Sequence, residues 1–151
     1  MKSGRYDKIK KVIGAVLFII YLIFMIYVMF LMDWRSRNLA GPLKYNAVPF
    51  HEIKRYLHLL KVYPYISLMN LFGNVLIFIP FGALVTFFKR AERVAVLRVT
   101  LLAFTVSCSI ELIQLFTRVG SCDVDDVILN TLGGFIGSLI YYIHYHWRKS
   151  R

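Results

Sequence analysis

Four long apolar runs constrain this chain more than any other feature: Val12 to Met32, Leu68 to Phe88, Ala95 to Phe116 and Val127 to His144. Crossing about 30 Å of hydrocarbon takes roughly 20 apolar residues as a helix, and only helices or closed barrels satisfy their backbone there. The spacing therefore predicts an all-α polytopic membrane protein with four transmembrane helices in a single domain covering residues 1–151. The last run is short, but Tyr141, Tyr142, Tyr145 and Trp147 mark its end as membrane-interface residues do.

The charge pattern supports that reading. A net charge of +11 on a soluble chain would suggest nucleic acid, yet here 58% of the residues are apolar and the basic ones sit between the apolar blocks. No nucleic-acid partner is expected. The basic stretch Lys2 to Lys11 ahead of an apolar run is also how a secretory signal begins. The 21-residue run is too long for a signal core, however, and Asp33-Trp34-Arg35 offers no small-x-small cleavage site, so it is expected to stay as the first span. Counting Lys and Arg between spans gives twelve on the side of the N-terminus and seven on the other. Six of those seven lie in the long first loop, where each counts for less, so both termini are expected to be cytoplasmic in a multi-pass protein of the cell membrane.

In that first loop Phe50, Ile53, Leu57 and Leu60 recur at helical spacing, with Lys54, Arg55, His58 and Lys61 between them, after Pro49 and before Pro64. A short amphipathic helix is expected there. It could lie on the outer leaflet with its basic face among headgroups, or pack on the bundle as a solvated loop helix; the pattern allows both. Cys108 and Cys122 form no disulfide framework and carry no assigned redox role.

Polar side chains inside spans are costly and usually face the bundle interior or water. The second span carries Asn70, Gly73 and Asn74 on one face, the third Ser107, Glu111 and Gln114, the fourth Asn130 with Gly133 and Gly137. At 1.5 Å per residue, Asn74, Glu111 and Asn130 each fall roughly 6–9 Å below the outer face, so one cluster under the outer headgroups is expected, with Pro80 deeper as a point of kinking. Interhelical glue explains the asparagines as well as a binding role does. A lone buried carboxylate such as Glu111 demands a partner, a proton or water, which favours function. In the third loop, Asp123, Asp125 and Asp126 precede the fourth span. Capping accounts for one or two of them, and a divalent cation or a cationic group is the alternative. Arg118 could pair with an aspartate.

Five ordered pieces, Asn46-Ala-Val-Pro49-Phe50, Asn70-Leu-Phe-Gly73-Asn74 with Phe78-Ile-Pro80-Phe-Gly82, Glu111-Leu-Ile-Gln114, Asp123-Val-Asp125-Asp126 and Asn130-Thr-Leu-Gly133-Gly134, resemble the VanZ-like membrane proteins associated with glycopeptide, particularly teicoplanin, resistance. Arg118, five residues before Asp123, departs from the Gly-Arg pair that family often carries closer to the aspartate. The resemblance implies a cell-envelope role. Its partners would be membrane lipids and a lipid-linked cell-wall precursor or lipoglycopeptide, engaged by Asn46, Asn70, Asn74, Glu111, Gln114, Asp123, Asp125, Asp126 and Asn130. An enzyme acting on a lipid head group through Glu111 and Asp126, or a small lipid transporter, is the alternative. The phosphotransbutyrylase label attached to some members finds no Gly-rich phosphate loop or nucleophile-base pair here.

Overall fold

The computed structural model describes residues 2–31, 42–89 and 93–151. Met32 at the end of the first expected span and the Asp33-Trp34-Arg35 segment lie outside the described residues. Four helices are long and apolar enough to cross a membrane, over Lys8–Phe30, Pro64–Phe88, Ala95–Thr117 and Val124–Lys149. They are carried by α1 (Lys2–Ile26, continued by a π-helical turn, Tyr27–Leu31), α3 (Pro64–Phe88), α4 (Arg93–Thr117) and α5 (Val124–Lys149). The short α2 (His51–Leu59) lies between the first two. Two-residue strands β1 (Tyr45–Asn46) and β2 (Cys122–Asp123) pair in parallel, Tyr45 opposite Cys122 and Asn46 opposite Asp123.

Pro64 begins α3 rather than merely ending α2: it occupies the first turn, where a missing N–H costs nothing. The second span thus starts four residues before its expected Leu68. Pro80 leaves α3 continuous through Phe88, although its missing N–H deprives the Leu76 carbonyl of a helical donor. At the next carbonyl, the Tyr21 hydroxyl of α1 donates to Ile77 at 2.6 Å and ties α1 to α3 beside the proline.

The bundle is built on the α3–α5 contact, and that contact is built on glycine. A Cβ at Gly82 would overlap the Gly134 carbonyl oxygen, at Gly133 that of Val75, and at Gly137 that of Ile79. In lipid the helices gain little from apolar burial alone, so backbone approach and interhelical hydrogen bonds supply the association. Deep in this seam the Thr86 and Ser138 hydroxyls meet at 2.7 Å, and Thr86 also donates to the Gly82 carbonyl. Phe78, Phe81, Val85, Val99, Ala103 and Ile110 fill the space towards α4, and Met25 and Met29 of α1 close it. The outward surfaces of α1 and α4 remain apolar and exposed, among them Ile19, Ile23, Leu101 and Phe104. A lipid-facing surface should look like this.

Candidate functional site

The loops before α2 and after α4 meet at one end of the bundle. The α4 helix ends with Arg118 in the left-handed region, φ 57°, where its N–H bonds the Leu115 carbonyl and the Val119 N–H reaches back to Gln114. This is a Schellman closure with arginine where glycine is usual. Gly120, φ 74°, completes the turn and delivers β2 to β1, where the Cys122 N–H bonds the Lys44 carbonyl at 3.1 Å.

The three aspartates then diverge. Asp123 caps α5, its carboxylate accepting from the Asp125 N–H at 2.8 Å, and the same carboxylate takes the Asn46 amide at 3.2 Å. Asp125, 1% exposed, turns away to α2 and accepts from the Phe50 and Ile53 N–H groups. It thus caps, from another helix, the amides that α2 cannot satisfy itself, and holds Phe50 at φ 63°, which a bulky side chain adopts only under constraint. Asp126 accepts from the Asn74 side chain across the α3–α5 interface. As a metal set the aspartates therefore do not converge, and among the described residues no group of three or more His, Cys, Asp or Glu is placed to hold an ion.

Glu111, 3% exposed, accepts the Asp123 N–H at 2.7 Å, so this carboxylate fastens the start of α5 to the end of α4. Gln114 donates to the Met29 carbonyl at 2.9 Å, satisfying the loosened end of α1. Asn130 is fully buried and donates to Ser107 at 2.8 Å, while its side-chain oxygen has no partner among the described residues. Asn70 is exposed and bonds its own helix at Ile66. The expected single cluster is therefore two tiers. Asn46, Asp123 and Glu111 are linked near the bundle end beside the separate Asn74–Asp126 pair, and the Asn130–Ser107 pair lies about one turn deeper.

Above the upper tier opens a cleft of about 700 Å³. Of the expected residues, Asn46, Asn70, Gln114, Asp123 and Asp126 line it. Glu111, Asn74, Asp125 and Asn130 do not line it. Since Asn74 of α3 pairs with only the third residue of α5, more than one turn of α3 projects past the start of α5 and forms one side of the cleft. The other side is α2. His51, Glu52, Arg55 and Tyr56 face inward from it, with Glu52 pairing Arg55 and lying 3.3 Å from the His51 ring. From sequence, Arg55 belongs to a basic face that either meets headgroups or packs on the bundle, and Glu52 is not singled out. The i, i+3 pairing of Glu52 with Arg55 was the available signal. Leu57 and Phe50 stay half exposed, so only part of the expected apolar stripe is docked.

Cys122 lies on β2 next to Asp123, outside the lining of the cleft. Burial raises its thiol above the usual 9.0, and the negative charges of Glu111, Asp123 and Asp126 push the same way.

No solved structure matches the chain. Over 100 residues it is 33% identical to Protein VanZ of Enterococcus faecium, a stretch covering 66% of this chain and 61% of that relative's length. The VanZ/LLP1 family pattern matches residues 18–145, a range that takes in α3, α4, most of α5 and the whole cleft. By that match the chain is a multi-pass membrane protein belonging to the VanZ/LLP1 family.

Proposed function

We propose that the chain is a cell-envelope factor of the cytoplasmic membrane that engages a lipid-linked molecule at the outer leaflet, in the setting of glycopeptide, particularly teicoplanin, resistance. The observation that carries this reading is the cleft itself. It is polar and charged at its base, yet its α3 wall is flanked by the exposed apolar residues Leu68, Met69 and Phe72 beside Asn70. A polar head would bond Asn46, Asn70 and the Asp123 and Asp126 carboxylates, while an acyl tail runs down the outside of α3. The excess of Lys and Arg at the other end of the bundle supports an outward-facing cleft with both termini cytoplasmic. Membership brings the link to resistance, and the match to 61% of the relative's length leaves that link as part of the proposal.

The test is glycopeptide tolerance in cells that depend on this chain, comparing Asp126→Asn, Asn46→Ala and Asn70→Ala with wild type at matched membrane abundance. Tolerance should fall for all three. Unchanged tolerance in all three would remove the cleft from the account.

A further inference from the structure

At the end of the bundle away from the cleft, α1, α3 and α5 come together without closing. Gly14 lets α1 touch the Phe87 ring, since a Cβ there would stand 2.6 Å from its Cε1, and Phe87 meets the edge of Tyr141 with centroids 5.9 Å apart. Beside this three-way contact runs a trough of about 310 Å³ whose walls are apolar: Ile13 and Leu17 from α1, Ala83 and Leu84 from α3. Lys10, Phe87 and Tyr141 are shared with a second hollow of about 560 Å³, which His144, Arg148 and Lys149 enclose at the end of α5. No Asp or Glu is among the described residues lining either one.

We propose that this pair of hollows binds an anionic phospholipid of the leaflet opposite the cleft, with an acyl chain in the trough and the phosphate among Lys10, Arg148 and Lys149. Three features select that ligand. Basic pockets between helix ends, at the side of the membrane where cations collect, suit anionic headgroups. A free anion would leave the apolar trough empty. A second copy docking by the same face would set these cations against their own kind, which opposes such an interface. The lipid would also bridge α1 to α5, which Phe87 of α3 touches on both sides through Gly14 and Tyr141. This site does not depend on the cleft or its ligand.

The test exposes purified protein in neutral detergent to vesicles of equal parts phosphatidylglycerol and phosphatidylcholine, and counts the lipids retained by native mass spectrometry. Wild type should retain phosphatidylglycerol preferentially. Lys10→Gln with Arg148→Gln and Lys149→Gln should lower that retention at least about tenfold, because each such cation near an anionic surface contributes about a factor of five. These side chains are exposed, and unchanged helix content by circular dichroism certifies the fold. Leu17→Trp, which fills the trough while keeping the cations, should lower retention as well. Equal retention of both lipids by wild type, an unaltered triple variant, or displacement of phosphatidylglycerol by millimolar inorganic phosphate would each overturn the proposal.

Discussion

Replacing Asp125 by alanine should release α2 and dismantle the cleft without unfolding the bundle. Its carboxylate accepts from the Phe50 and Ile53 N–H groups, and hydrogen bonds to a charged group contribute about 1.5–3 kcal/mol each. Loss of both removes about 3–5 kcal/mol from the docked state, allowing for non-additivity. A nine-residue helix has little stability of its own, so undocking and unwinding should occur together. At about 1.4 kcal/mol per decade, the open population rises by about 10² to several times 10³. Hydrogen exchange of the protein in nanodiscs reads this directly: amides of His51–Leu59 should lose protection by that factor while those of α3 and α5 keep theirs. Asp125→Asn, which retains one acceptor oxygen, should show a smaller loss. Wild-type protection of α2 in Asp125→Ala would refute the assignment of this carboxylate as the clamp.

Gly137→Ala should lower the thermal stability of the detergent-solubilised protein by about 1–3 kcal/mol, since its Cβ meets the Ile79 backbone, whereas Gly73→Ala, with open space around it, should be neutral or gain up to about 1 kcal/mol. A double-mutant cycle on Ser107→Ala and Asn130→Ala should give a coupling of roughly 1 kcal/mol; additive losses would contradict their bond. In a Cys108→Ala background, the alkylation rate of Cys122 should go on rising with pH past 9.0, where an ordinary thiol levels off, and Asp126→Asn should move that profile to lower pH, because removing a negative charge favours the thiolate. A profile that stays put or moves upward would contradict the placement of Asp126 beside the thiol.

The spans, their order and the small-residue seam of α5 were legible because each is written in local composition: apolar length for the helices, Gly133 and Gly137 at i, i+4 for close approach. The upper tier was legible in part, since Asn74, Glu111 and Asp123 are polar residues in places where polarity needs a partner. Which partner each takes was not. Asp125 looked like one of three equivalent carboxylates, and only the return of the first loop beneath α5 gives it main-chain amides to hold. The β1–β2 pairing is two residues long and joins segments 77 positions apart, so no local pattern announces it. The same long-range closure turns Glu52 and Arg55 into the cleft and makes α2 a wall as well as a surface helix.

The proposed function requires the cleft to receive a lipid-linked molecule from the outer leaflet. Photo-crosslinking in intact cells, from benzoylphenylalanine in place of Tyr56 within the cleft and in place of Leu101 on the lipid-facing surface of α4, tests this most directly. Position 56 should yield an adduct bearing a lipid-linked head group that is lost with Asp126→Asn, while position 101 yields bulk phospholipid alone. The same bulk phospholipid adducts from both positions would contradict it.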